Sequence, residues 1–240
     1  MTKIISEIFE KIGKDYLTHQ VLVGVYWTVI SSRVCGMAST VVNSKPHGEK
    51  TVADAGNLGS KSAFELAQYL YSDNTLEASI GLAALNSLIE LPEKGLIEIN
   101  AFKYLVDKGE SKHVAIFGHF PYLKQIKASA SRLTVFELEP NAEEHQLDEV
   151  PKLLPDADVV AITSNSLINH TLEGILPHIK EDAFVALVGP STPISPVLFD
   201  HGISMLSGVK VVNEKELFTT VSQAAIFRQT RGVQLVTWIK

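Results

Sequence analysis

Four apolar runs in the second half of the chain each stop at small, polar or Gly/Pro residues. VAIF (114–117) runs into Gly118-His119-Phe120-Pro121-Tyr122, and LTVFEL (133–138) into Glu139-Pro140. VVAIT (159–163) ends at Ser164-Asn165-Ser166, and FVALV (184–188) at Gly189-Pro190-Ser191-Thr192-Pro193. Short apolar runs of this kind read as strands buried on both faces, and helical segments lie between several of them. The pattern predicts a mainly parallel α/β sheet. Ligands of such sheets bind beyond the carboxyl ends of the strands, so the four endings locate a site before they say what binds there.

The first half has a different rhythm. Ile4, Ile5, Ile8, Phe9 and Ile12 recur at helical spacing and predict an amphipathic helix over 3–15. Two runs rich in β-branched and aromatic residues, 21–31 and 34–42, flank Ser32-Arg33 and predict a β-hairpin, with Trp27 turned to the core. Residues 43–50 form a loop by their Asn, Pro and Gly content. Helices are expected over 61–71 and 75–91, the second with Ile80, Ala84, Ser87, Leu88 and Leu91 on one stripe. Pro92-Glu93-Lys94-Gly95 breaks the pattern, which places a domain boundary near 99: an α+β domain over 1–98 and an α/β domain over 99–240. In the second domain, helices are expected near 121–130, over 167–179, from Ser195-Pro196, and over 214–229.

Candidate ligand contacts follow from the strand endings. Gly118 permits a positive φ or a close backbone approach. His119 is the most reactive group at the proposed crevice, fit for acid–base work or metal binding. Phe120 and Pro121 complete that loop; it lacks the glycines of a dinucleotide fingerprint. Glu137 and Glu139 stand 19 and 21 residues beyond Gly118, where ribose-binding carboxylates of nucleotide folds sit. Thr163, Ser164 and Asn165 are helix caps by residue type and also hydrogen-bonding groups. Gly189, Pro190, Ser191 and Thr192 form a stiff polar loop of the kind that holds ligands. Asn86, inside the apolar helix GLAALNSLI, must be hydrogen-bonded and is placed at the domain interface.

Composition narrows the partners. A formal charge of −6 with no basic run argues against nucleic acid. No apolar run approaches the ~20 residues of a membrane span. Cys35 is the single cysteine, so there is no internal disulfide and no four-thiolate zinc site, and a cytoplasmic location is expected. Charges at Lys3, Glu7, Glu10 and Lys11 do not suit a secretory signal. A homodimer is the expected assembly.

Several segments, taken in order, resemble the DUF364 family and its N-terminal DUF4213 partner, a pair associated with heavy-metal chelation. They are YWTVI (26–30), GMAST (36–40), GLAALNSLI (81–89), VAIFGHFPY (114–122), FELEP (136–140), ITSNSLINHTLEGIL (162–176), GPSTPISPVLFDHGI (189–203) and SGVKVVNEKEL (207–217). The resemblance implies an enolase-N-terminal-like α+β domain, a Rossmann-like parallel-sheet domain, and a site in the cleft between them. It brings no enolase chemistry, since the catalytic groups of enolases lie in a barrel that this chain lacks.

The first functional reading is a small-ligand-binding protein whose cleft takes a polar ligand, a divalent or heavy metal ion, or a metal chelate. His119 and Glu139 are then the metal contacts. The second is an enzyme using a nucleotide-type cofactor, with Glu137 or Glu139 on ribose. The third is a regulatory or structural subunit.

Overall fold

The structure is a computed structural model that describes residues 3–42 and 52–240. The loop expected over 43–50 lies outside the described residues. Helix α1 (Lys3–Lys11) leads into an antiparallel meander of β1 (Gln20–Val23), β2 (Trp27–Ser31) and β3 (Cys35–Ser39). Then come α2 (Ala63–Ala67), a 3-10 turn at Gln68–Tyr71, and α3 (Thr75–Leu88). The second half comprises β4 (Leu96–Ile97), α4 (Ala101–Lys108), β5 (His113–Phe117), α5 (Leu123–Ser129) and β6 (Arg132–Phe136). It continues with α6 (Val150–Leu153), β7 (Val159–Thr163), α7 (Leu172–Ile175) and β8 (Phe184–Val188). Last are α8 (Val197–Asp200), β9 (Met205–Val211), α9 (Glu214–Ser222) and β10 (Val233–Ile239).

The fold is mixed α/β, with a three-stranded antiparallel sheet and a seven-stranded, mostly parallel one. The large sheet runs β4-β10-β9-β8-β7-β5-β6. The five strands from β6 to β9 are parallel; β10 and β4 are antiparallel. The chain lays β6 on one side of β5 and then β7 on the other. Strand order therefore reverses between β5 and β7, and such a reversal opens a crevice at the carboxyl ends.

Several expected elements differ in detail. The run 21–31 is two strands, because Gly24 turns the chain with its N–H donating to the Trp27 carbonyl at 2.9 Å. The result is a meander in place of a single hairpin. The helix expected over 3–15 ends at Lys11. The one expected over 61–71 is α2 followed by a 3-10 turn. The helix expected over 167–179 is broken: His170 takes a left-handed φ of 59°, and Asn169 Oδ1 accepts from the backbone and hydroxyl of Thr171. The helix expected over 214–229 stops at Ser222, with Ala224 left-handed and a 3-10 turn at Phe227–Gln229. Helix α4 was not anticipated; Asn100 caps it by accepting from the N–H groups of Phe102 and Lys103.

Helix α3 organises the first half. Eleven of its fourteen residues are buried, so it is a central helix whose contacts extend well beyond the single stripe expected. Two glycines allow its close contacts. A Cβ on Gly81 would lie 2.0 Å from Leu70 N, and one on Gly36 of β3 would lie 2.2 Å from the Ala83 carbonyl oxygen. The apolar core continues from α1 and α3 into β5, β7 and β8 without a gap. Leu96–Ile97, ahead of the boundary expected near 99, already pair with β10 in the large sheet.

Helix α1 is pinned by two polar contacts. Ile4 N donates to Glu173 Oε1 at 2.6 Å, and Glu7 Oε2 meets His201 Nε2 at 2.6 Å. The His201 hydrogen bond holds the Glu7 carboxyl below its ordinary range. An acid lowered on folding lends stability above its unfolded pKa, and that stability is lost as pH falls through the folded value.

Two outcomes follow. Hydrogen exchange at the α1 amides, corrected for intrinsic rates, is expected to speed up as pH falls below the ordinary carboxylate range, roughly 4, and His201→Ala should abolish that dependence. Gly81→Ala should lose about 1–3 kcal/mol or more in urea unfolding through overpacking. Gly59→Ala, whose Cβ meets nothing within 4 Å, should change stability by no more than about 0.5 kcal/mol.

Candidate functional site

Two cavities flank the β5–β7 reversal. The larger, about 430 Å³, opens on the β8–β9 side. The smaller, about 360 Å³, lies on the β6 side. His119, Thr163 and Asn165 belong to the walls of both.

Of the residues expected to bind a ligand, His119, Phe120, Pro121, Thr163, Ser164, Asn165, Gly189 and Pro190 line the larger cavity. Gly118 and Glu137, with His119, Thr163 and Asn165, line the smaller. Others are spent elsewhere. Ser191 is fully buried; its Oγ accepts from Ser39 N at 2.8 Å, and its carbonyl accepts from Asn86 Nδ2 at 3.0 Å. Asn86 Nδ2 also donates to the Met37 carbonyl at 3.0 Å. Thr192 Oγ1 donates to the Gly189 carbonyl at 2.8 Å. Asn86 and Thr192 border a third cavity of about 180 Å³, where Cys35 also lies.

The glycines serve the backbone. Gly118 takes a φ of +102°, and its missing Cβ would meet Thr163 Cβ and Cγ2 at 3.1 Å. Gly189, at φ +142°, would press on Ser164 Oγ at 2.5 Å. Each lets two strand ends close against one another, so the close approach at Gly118 is to protein.

The larger cavity also has walls that the sequence reading did not assign to a site. Trp27 packs against the cluster of Val29, Met37 and Leu217, in line with the core role expected, and also borders this cavity, donating Nε1–H to the Ala225 carbonyl at 3.0 Å. Phe227 stands edge-on to Trp27 at 5.7 Å between ring centroids. Phe102 stacks on Tyr122 at 6.1 Å and 13°. Tyr122 holds a left-handed φ of 77°, unusual for an aromatic residue and a kind of strain found at binding sites. Arg228 is exposed at this cavity, and among the described residues no carboxylate pairs with it. The sequence gives little signal for Phe102, Phe227 and Arg228, because the first lies on the unanticipated α4 and the other two in a segment read as continuous helix.

His119 joins two carboxylates. Its Nδ1 lies 2.5 Å from Glu137 Oε1, and its Nε2 lies 2.9 Å from Glu144 Oε1. Glu144 was not singled out from the acidic stretch that contains it. It arrives because residues 137–145 fold back: Glu137 N donates to the His145 carbonyl at 3.0 Å, and His145 N to the Val135 carbonyl at 2.8 Å. Burial holds the Glu137 carboxyl above its ordinary range, against the opposing pull of His119. The Asn141 N–H, with His119, holds the Glu144 carboxyl below its own.

A bare metal ion is poorly matched by these groups. Each ring nitrogen of His119 faces a different carboxylate. Glu139, the partner expected for His119, is exposed and lines neither cavity. Burial pushes the Cys35 thiol up to about 12. Among the described residues, no three His, Cys, Asp or Glu side chains group as a metal cage requires.

An acid raised on folding keeps its full stability below its unfolded pKa and loses stability as pH rises through the raised value. Glu137→Gln is therefore expected to melt at a higher temperature than the parent at pH 7, with the difference closing below roughly pH 4. Calorimetry at the two pH values checks this.

The DUF364 family, described as "Putative heavy-metal chelation", matches residues 100–238, and the DUF4213 family, with the same description, matches residues 5–89. A DUF364-family crystal structure from Desulfitobacterium hafniense, of unknown function, is 30% identical with a TM-score of 0.83, covering 99% of this chain and 97% of that one. Another from Pyrococcus horikoshii, also of unknown function, is 20% identical with a TM-score of 0.80, covering 99% and 100%; at that identity it speaks for the fold alone. An uncharacterized protein from Methanocaldococcus jannaschii is 26% identical over 194 residues, 75% of this chain and 71% of that protein. The chain belongs to the DUF364 family, with a DUF4213 segment ahead of it.

Proposed function

We propose that the protein binds a small organic carboxylate in the larger cavity, and that a heavy metal reaches it as a chelate of such a ligand. The observation that carries this reading is Arg228, with which no carboxylate among the described residues pairs, beside the aromatic walls of a cavity of about 430 Å³ at the strand reversal. Cavities of this size and lining suit drug-sized ligands, which occupy roughly 300–1,000 Å³. Arg offers a planar fork of donors that matches a carboxylate in two places, and carboxylates are the usual donors of small chelators. Ser164 and Asn165 supply neutral hydrogen bonds on the strand-end wall. His119 would offer its imidazole to an open position on a chelated metal once one carboxylate lets go.

The proposal extends to the setting. We take the two matched segments as domains, 1–98 enolase-N-terminal-like and 99–240 Rossmann-like, with the parallel order β6-β5-β7-β8-β9 supporting the latter. A cytoplasmic homodimer remains the expected context. No helix among the described residues is long and apolar enough to cross a membrane.

Native mass spectrometry of the purified protein, with and without EDTA, is the direct test. An organic mass excess is expected, with any metal leaving on EDTA. Citrate, nitrilotriacetate and pyridine-2-carboxylate, each with and without Ni²⁺, should include at least one ligand that raises Tm. Arg228→Ala should weaken that ligand about 10–100-fold, since hydrogen bonds to a charged group contribute roughly 1.5–3 kcal/mol. A bare protein mass with no Tm shift from any of the three would overturn the reading. A metal ion bound without organic mass would replace it with direct coordination.

A further inference from the structure

The smaller cavity differs in chemistry from the larger one. Phe136, Leu138 and Leu147 give it apolar walls, and among the described residues no Lys or Arg lines it. Glu137 and Ser166 sit among its polar wall groups. A phosphate or carboxylate would meet repulsion from Glu137, and among the described lining residues His119 alone could offset it. The cavity suits a neutral group that donates hydrogen bonds.

Its wall also holds unused polar atoms. Ser166 is 1% exposed, and its Oγ has no hydrogen-bond partner among the described residues. Buried hydroxyls are rarely left so, and an orphan bordering a cavity points to a ligand or water as its partner. Asn169 spends Oδ1 on Thr171. Its amide nitrogen, like the side chain of Asn165, makes no hydrogen bond among the described residues. Burial raises the Glu137 carboxyl, which is the expense of keeping an acid at this position. Glu137 ends the strand beside β5, 19 residues beyond Gly118. In doubly wound sheets that place belongs to the carboxylate that takes the ribose hydroxyls.

We propose that the smaller cavity binds the ribose of a nucleoside-type ligand, with Glu137 accepting from the vicinal diol and the base resting on the Leu138–Leu147 wall. Asn165 and Ser166 complete the hydrogen bonding. The shared wall of His119, Thr163 and Asn165 lets an anionic tail on the same ligand continue into the larger cavity, toward Arg228. This subsite stands on its own wall chemistry and does not depend on what fills the larger cavity.

The test is calorimetric titration of the full chain with adenosine, guanosine, cytidine and uridine, and with the 2′,3′-dideoxy form of the tightest. One nucleoside is expected to bind with a Kd between micromolar and millimolar. Its dideoxy form should bind at least about 10-fold more weakly, as sites built to hold hydroxyls reject analogues that lack them. Glu137→Gln should show a similar loss while remaining folded by its melt. Glu139→Gln, an exposed acid two residues on, should bind as the parent does. Equal binding of the ribo and dideoxy forms overturns the proposal, as does the absence of binding by all four nucleosides. If the nucleosides fail while a carboxylate chelator still binds in an Arg228-dependent way, only this subsite is lost. If the nucleosides bind and every chelator fails, only the larger-cavity reading is lost.

Discussion

Partly buried hydrogen bonds between Asn86, Ser191 and the edge of the small sheet hold this molecule in its working shape. One Asn86 amide spans the Met37 carbonyl of β3 and the Ser191 carbonyl of the loop after β8, and the Ser191 hydroxyl takes the Ser39 N–H. Each group is satisfied only when both sheets are in place. A buried polar group left without its partner costs about 1–3 kcal/mol, so sliding one sheet against the other is opposed several times over. Helix α3 sets Asn86 at the required depth, and the glycine contacts at Gly36 and Gly81 set the depth of α3.

With the sheets locked, the first half of the chain supplies walls to cavities whose chemistry lies in the second half. Trp27 of β2 and Ser39 of β3 face the larger cavity; Val41 and Thr75 face the smaller. The strand reversal at β5 and β7 supplies the floor. Gly118 and Gly189 let neighbouring strand ends approach closely enough that Thr163 and Ser164 fill the gaps. The loops then diverge on either side of His119, producing one cavity rich in rings with a cation at its edge and another with a carboxylate. The division of charge between them comes from Arg228 and Glu137 lying on opposite sides of that imidazole-bearing loop.

A heavy-metal role for the family and the scarcity of converging donors here are compatible if the metal travels with an organic partner. The donors present are spaced for hydrogen bonding. His119 is committed on both nitrogens, and the Cys35 thiol is held protonated by burial. What the cleft offers in quantity is aromatic surface, backbone turns and a few polar tips, which is the equipment of an organic-ligand site.

Local patterning alone determined the parallel sheet, the small antiparallel sheet before it, and the polar strand endings that border the two cavities, because burial on both faces and turn chemistry are written residue by residue. It also singled out His119 and the Glu137/Glu139 pair. It could not choose between the two acids. The choice depends on the fold-back that pairs Glu137 with the His145 backbone and leaves Glu139 in solvent. Nor could it show that Ser191, Thr192 and Asn86 are consumed in holding the structure together, since their partners lie up to 152 residues away or in their own tight turn. Arg228, Trp27, Phe102 and Glu144 reach the site from four separate segments. Their convergence is a property of packing, and only the tertiary structure decided it.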